Sequence, residues 1–396
     1  MHPAGLLFIT SRLLAKSASA ISILMDKVAI YIHIPFCLKK CSYCSFVSYG
    51  GRRDFIPRYI QVLKKEISTR VVDNPVATIY FGGGTPSLLT VGQIRELLDW
   101  LKANFTFDNK IEVSLEANPG TLNKDFLSEL REMGINRLSL GAQSFHNDEL
   151  KMLGRVHCAE DIEAAFHLAR NAGFTNINLD LIYGIPGQSL MKWEETLKSA
   201  VRLGPEHLSC YLLTLEDDVP LTQSISDGIL PLPDDDVACE QYKLAEAVLS
   251  EYDYEHYELS NWAKPGFRCQ HNLFYWQLAP YLGFGVAAHS FINGHRRANT
   301  GKLDTYLNNP FSIEEDNELD KTHEVAEATI LGLRLTEGID LKEMDCRFGD
   351  MFSKYKPVFE DTMGLGLLEI AGNRIRLTDQ GRFLSNEVFW RLLPDS

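Results

Sequence analysis

Six short apolar runs recur along the first half of the chain, and helical spacing of apolar residues separates them. The runs are Val28–Ile34, Thr78–Phe81, Glu112–Leu115, Arg137–Leu140, Asn176–Ile182 and His207–Leu213. Runs this short, bounded by polar and glycine residues, predict buried strands. The stretches near 55–71, 91–104, 122–133, 159–172 and 190–203 predict helices, and Gly134 and Gly173 stand where a glycine ends a helix. Strand–helix alternation six times over implies a parallel sheet with right-handed crossovers. Six units fall short of the eight that close a barrel. The expected fold is therefore α/β, a partial (β/α)6 barrel.

Polar and glycine residues gather just past the predicted strand ends. They are Cys37–Cys44, Gly82–Pro86, Glu116–Pro119, Gly141–Ser144, Asp180–Gly187 and Thr214–Glu216. In parallel α/β folds that rim is where ligands bind, because the loops converge on one opening. Past residue 218 the pattern changes: an acidic, proline-rich stretch, Pro231–Asp236, leads through a helix into the aromatic-rich Tyr252–Trp276. From 323 to 390 the chain reads as three helices, a hairpin over Leu367–Arg376 turning at Gly372–Asn373, and a last helix. That is a C-terminal α+β, winged-helix-like domain. The expected division is 25–218 for the barrel, 219–322 for barrel completion and linker, and 323–396 for the C-terminal domain.

The formal net charge of −14 disfavours long-range attraction to phosphate backbones, so no nucleic-acid partner is expected and the winged-helix-like part reads as a packing unit. No run of 18 apolar residues occurs, which predicts no membrane span and leaves a peripheral membrane contact open. Five of the eight cysteines are scattered, as free thiols of a reducing compartment are, and the expected location is the cytoplasm. Residues 1–24 hold Arg12, Lys16 and several serines with no acid before Asp26. That composition suits a mitochondrial or plastid transit segment, whereas a start at Met25 would make it extraneous. Both readings put 1–24 outside the fold.

Cys37-Leu-Lys-Lys-Cys41-Ser-Tyr-Cys44 sets three thiols on one tight loop. Thiolates are the ligands of iron–sulfur clusters, and three of them on a [4Fe–4S] cluster leave one iron open. Zinc would need a fourth ligand, for which His33 is the neighbouring candidate, and a Cys41–Cys44 redox pair belongs to a thioredoxin-like fold. Gly82-Gly83-Gly84-Thr85-Pro86 follows a strand, where glycines let backbone N–H and C=O groups approach a ligand. Glu116, in Glu-Ala-Asn-Pro, offers an acceptor for ribose hydroxyls, or else serves as a cap or surface charge.

The C-x₃-C-x₂-C spacing with an aromatic before its last cysteine resembles the radical SAM superfamily signature. Its flanks, Tyr31-Ile-His33-Ile-Pro35-Phe36 and Tyr43-Cys44-Ser45-Phe46, resemble the branch holding oxygen-independent coproporphyrinogen III dehydrogenases and haem chaperones. The resemblance runs from about residue 28 to the C-terminus. It implies a [4Fe–4S] cluster on Cys37, Cys41 and Cys44 as metal ligands, with S-adenosylmethionine chelated to the open iron. It also implies a cofactor pocket of Tyr31, Gly83, Gly84, Thr85, Glu116, Gln143, Arg155 and Asp180, in which Arg155 pairs with a carboxylate.

Two features divide the branch. The decarboxylating enzymes carry a further cysteine where this chain has Phe46. Arg268-Cys269-Gln270-His271-Asn272-Leu-Phe-Tyr275-Trp276 resembles the H-N-x-x-Y-W motif of the haem chaperones. His271 suits an axial haem ligand, Cys269 a rarer one, and Tyr275 and Trp276 suit stacking on a porphyrin. By residue chemistry alone the same aromatics suit packing at a domain junction. The resemblance implies a haem chaperone, binding haem and passing it to a haem-accepting protein. The alternative it allows is an oxygen-independent coproporphyrinogen III dehydrogenase working through a 5′-deoxyadenosyl radical. A radical SAM enzyme acting on RNA is disfavoured by the charge.

Overall fold

The computed structural model describes residues 24–394, so residues 1–23 of the expected 1–24 extension lie outside the described residues. Leu24, expected outside the fold, instead packs with Met25 against a core at one end of the barrel, because its side chain is apolar. Six parallel strands run in chain order across the central sheet: β1 Val28–Ile34, β2 Val76–Gly83, β3 Phe107–Ala117, β4 Arg137–Gln143, β5 Ile177–Tyr183 and β6 His207–Leu212. Each contains or overlaps a predicted run. β3 starts earlier than predicted, because its polar opening Asp108–Lys110 carries no apolar signal. Helices Ile56–Thr69, Val91–Asn104, Lys124–Glu132, Ala159–Asn171 and Leu190–Leu203 lie between the strands. Local chemistry sets their ends: Thr90 and Gln93 form a capping box, and Gly204 closes the Leu190–Leu203 helix at φ +71°.

Side chains alternate across the sheet, as strand geometry requires. Val28, Ile30, Ile32 and Ile34 of β1, and Val76, Ile79 and Phe81 of β2, join the large apolar core with the helices. The other face turns into a lumen that is polar. Ser139 donates to Asp180 at 3.0 Å, Asn178 donates to Ser139 at 2.7 Å, and His207 pairs with Asn178 at 2.6 Å. The two faces of the same strands thus serve different ends: the outer one holds the fold, the inner one carries chemistry.

The barrel does not close. Strands β7 Glu255–Glu258 and β8 Asn261–Ala263 continue the sheet antiparallel beyond β6. On the other side β9 Tyr281–Phe284 runs parallel to β1, followed by β10 His289–Ile292, β11 His295–Asn299 and β12 Ile313–Glu318. The resulting twelve-stranded sheet ends at β12 and β7. The C-terminal domain has helices Lys321–Leu333, Leu341–Phe348 and Lys356–Gly364. A sheet of Ile339–Asp340, Arg374–Leu377 and Leu368–Ala371 and the helix Ser385–Leu392 complete it. Its hairpin turns at Gly372, whose φ is +64°. Val325, Leu333, Phe359, Leu377 and Leu392 share one core with Ala29, Phe274 and Phe291 of the barrel end. The domain is packed there as part of the fold. Among the described residues, no helix is long and apolar enough to cross a membrane.

Candidate cofactor site

β1 delivers the chain into the cysteine loop, and the loop is pinned at three points. Phe36–Cys37 pairs in parallel with Tyr49–Gly50, closing the loop on itself. Ser42 donates through its amide to Leu153 O at 3.0 Å and through its hydroxyl to Met152 O at 2.7 Å. Below, the loop lies directly on the end of β2. A Cβ on Gly84 would stand 2.8 Å from Phe36 O, and one on Gly83, whose φ is +112°, would stand 2.5 Å from the His33 ring. Side chains at either position would push the loop off the sheet, so the glycines are required by close approach as well as by conformation.

Cys37, Cys41 and Cys44 are free and line one cavity of about 500 Å³ at the C-terminal ends of the strands. Burial raises the Cys37 and Cys44 thiols, and hydrogen bonds from Thr85 and Ser48 draw Cys37 back. Thr85 Oγ1 donates to Cys37 Sγ at 3.6 Å, and Arg155 Nη1 donates to Cys41 Sγ at 3.5 Å. His33 is no fourth ligand. Its Nδ1 pairs with Tyr31 Oη at 3.0 Å and its Nε2 with Val47 O at 2.8 Å, leaving no ring nitrogen free. Among the described residues, no three His, Cys, Asp or Glu side chains converge as a single-ion site would require. Three soft thiols on an open cavity suit a cluster with one open iron.

Gly83, Gly84, Thr85, Glu116, Gln143, Arg155 and Asp180 also line the cavity. Arg155 Nη2 donates to Gly141 O at 2.7 Å, while its Nε is buried without a partner. The guanidinium lies against the cluster loop on the cavity wall, within reach of a carboxylate bound there. Gln143 sits at a bulge, where β4 shifts register against β5, with φ +68°. A non-glycine residue in the left-handed region is strained, and here the bulge accompanies a side chain on the cavity wall. Glu116 accepts from Tyr80 Oη and from Gly83 N, both at 3.0 Å. Burial and the nearby Asp180 carboxylate push it up to about 7. Asp180 is raised by burial as well, and Ser139 and Asn178 hydrogen-bond its two oxygens. Tyr31 stands one layer back, holding His33.

The segment 268–276 lies at the other end of the lumen. Helix Gln270–Trp276 closes the floor, and Glu112 of β3 accepts from Gln270 N and His271 N, both at 3.1 Å. His271 is buried, with Nδ1 paired to Thr78 Oγ1 at 2.7 Å and Nε2 to Tyr275 Oη at 2.8 Å. Burial, seconded by the Arg137 charge, lowers the imidazole to about 3. Cys269 is buried too; burial pushes its thiol up to about 12, despite the Arg137 charge. Tyr275 packs edge-on against Tyr281, and Arg334 lies over the Trp276 ring at 4.6 Å. Asn272 is partly buried on the same short helix. In this structure neither candidate axial ligand of the segment is free. The ring nitrogens of His271 are spent on the protein, and Cys269 is held as a neutral thiol.

Sequence reasoning missed the middle of the lumen. Tyr80 stacks on His271 with ring centroids 5.0 Å apart while its hydroxyl holds Glu116, so it joins floor to cavity. Arg137, fully buried above Glu112, and Ser139, which holds Asp180, were read only as parts of an apolar run. The signal was present as a period of two: Thr78/Tyr80, Ser114/Glu116, Arg137/Ser139 and Asn178/Asp180.

The model of the radical SAM superfamily matches residues 31–200, and that of the HemN C-terminal domain matches 319–384. The protein named heme chaperone HemW from Bacillus subtilis is 35% identical over 374 residues, covering 92% of this chain and 99% of that one. Its namesake from Escherichia coli is 33% identical over 383 residues, covering 94% and 99%. Among solved structures, coproporphyrinogen III oxidase (HemN) from Escherichia coli, a radical SAM enzyme, superposes with a TM-score of 0.81 at 26% identity. That match covers 96% of this chain and 93% of the enzyme.

Proposed function

We propose that this chain, which belongs to the HemW family of the radical SAM superfamily, binds haem and delivers it to haem-requiring proteins. The observation that carries this reading is the similarity, over more than nine-tenths of the chain, to proteins named as heme chaperones. Phe46, where the decarboxylating enzymes carry a further cysteine, supports it.

The residues present fit the cofactors that the superfamily implies. Cys37, Cys41 and Cys44 would hold a [4Fe–4S] cluster, and S-adenosylmethionine would occupy the rest of the cavity. Such a cluster supplies an electron to the sulfonium of S-adenosylmethionine. The chain's own part is to bind and orient. Arg155 would pair with the cofactor's carboxylate through the guanidinium that now rests on Cys41 and Gly141. Glu116 would accept from ribose hydroxyls, held in place by Tyr80 and Gly83 N. Gln143 and Asp180 would close the remaining polar wall, and the backbone at Gly83–Thr85 would meet the amino group. Thr85, by donating to Cys37, favours its thiolate.

The likeness to HemN favours one second reading, oxidative decarboxylation of coproporphyrinogen III. Anaerobic reconstitution separates the two. The full chain should take up about one haem and leave coproporphyrinogen III unconverted in the presence of reductant. Formation of protoporphyrinogen IX would reject the chaperone reading.

A further inference from the structure

Five large apolar side chains stand exposed around the mouth of the cofactor cavity. Leu38, Phe46, Val156, Tyr211 and Leu212 are between 39% and 69% exposed, and all five line the opening. They come from separate places: two from the cysteine loop after β1, one from the turn after β4, and two from the end of β6. No local sequence pattern brings them together; the rim does. Scattered exposed apolar residues are ordinary, but five gathered around one cavity mark a surface built to be covered.

We infer that this ring, with Lys39 and Lys40, is the surface on which the chain holds haem. The inference rests on the haem reading above and says where that haem sits. A porphyrin is a flat apolar plate with two carboxylates on one edge, and the mouth offers the matching elements. The plate would cover the apolar ring, removing it from water. Lys39 lines the opening and Lys40 is exposed beside it, an adjacent pair of cations in a chain of net charge −14. Glu216, which also lines the mouth, would repel the carboxylates and so fix which edge faces the lysines.

The floor offers no such surface. Its imidazole is buried with both nitrogens engaged, and its thiol is buried beside Glu112. The residues lining the mouth include no histidine or methionine, the three thiols there are the cluster's, and the phenols of Tyr43, Tyr80 and Tyr211 are the remaining side chains of axial-ligand type. The chain therefore grips haem chiefly by its face. Such a hold suits a cargo that must be given up. It also places the haem over the cavity, so cargo and cluster share one opening.

Haemin and its dimethyl ester, titrated into the full chain and followed by Soret absorbance, test this. The Phe46→Ser/Leu212→Ser double variant should weaken haemin binding roughly tenfold or more. Leu232→Ser, at a side chain 73% exposed on the acidic loop, should leave binding unchanged. Lys39→Glu/Lys40→Glu should weaken haemin binding at low salt but leave the ester unaffected. In reconstituted protein, bound haemin should slow removal of cluster iron by a ferrous chelator. Undiminished binding in the double variant, or equal loss in Leu232→Ser, would overturn the assignment while the chaperone reading stood. Retained haemin with lost transfer to an acceptor apoprotein would give the rim to a protein partner instead, overturning it too. A wild-type chain that took up no haemin would reject both.

Discussion

At the mouth of the lumen, polar groups stand ready for something that is not protein. Three thiols are free, Arg155 Nε has no partner, Glu116 is pushed up to about 7, and five apolar side chains face water. At the floor, built from the other ends of the same strands, the carboxylate and the imidazole are occupied. Glu112 accepts two backbone amides, and His271 spends both nitrogens on Thr78 and Tyr275. The difference teaches that residue type does not locate a ligand site. Cysteine and tyrosine occur at both ends, and what separates the ends is access: the mouth's groups open on the cavity, whereas His271 and Cys269 are buried with their partners. Floor substitutions should therefore cost stability, whereas mouth substitutions should cost ligands.

The largest effect is expected at the mouth. Cys41→Ala should reduce reconstituted iron from about four per chain to near zero, since the loop has no spare thiolate. Full iron content in that variant would undo the ligand assignment. At the floor, Glu112→Gln should remove the carboxylate that faces buried Arg137 and anchors the floor helix. Weakening the charge-assisted hydrogen bonds from the Gln270 and His271 amides costs about 1.5–3 kcal/mol, readable by chemical denaturation. A loss below 1 kcal/mol would show that the floor is not the structural end.

Arg155→Ala should weaken S-adenosylmethionine about ten- to a hundredfold, the worth of a charge-assisted pair, while cluster iron stays. Unchanged affinity by calorimetry would remove Arg155 from the pocket. A smaller effect follows pH. Glu116 faces Tyr80, Gly83 N, Asp180 and Arg137, and burial with Asp180 raises it to about 7 in the ligand-free chain. Ribose hydroxyls donate to the ionised form, so S-adenosylmethionine affinity should rise as pH climbs through about 7 and then level off. The ligand-free fold prefers the protonated form, so this group's contribution to stability falls over the same climb. Glu116→Gln should flatten both slopes. Least of all, Phe46→Ser should change stability by less than about 0.5 kcal/mol, as an exposed position allows.

The sequence made the outer layer of this molecule plain and the inner one obscure. Val28–Ile34 reads as a buried strand because one of its faces is wholly apolar, and the glycine at 372 announces its turn. The thiols at 37, 41 and 44 are adjacent in sequence, so their joint role needs no fold to be seen. The ring of Leu38, Phe46, Val156, Tyr211 and Leu212 has no sequence signature, because three distant segments build it. His271 and Tyr275 share a helix face at i, i+4, a spacing that fits a ligand surface and a packing surface equally. Only Thr78, nearly two hundred residues away in the chain, decides between them.

The measurement that bears most directly on the contrast between the two ends is the haem titration of His271→Gln, which keeps a hydrogen-bonding side chain in the floor. Affinity and Soret position matching the wild type are expected, because the imidazole does not reach the haem. Loss of binding, or a spectrum showing an axial ligand gone while the fold and the cluster iron remain, would put the haem at the floor.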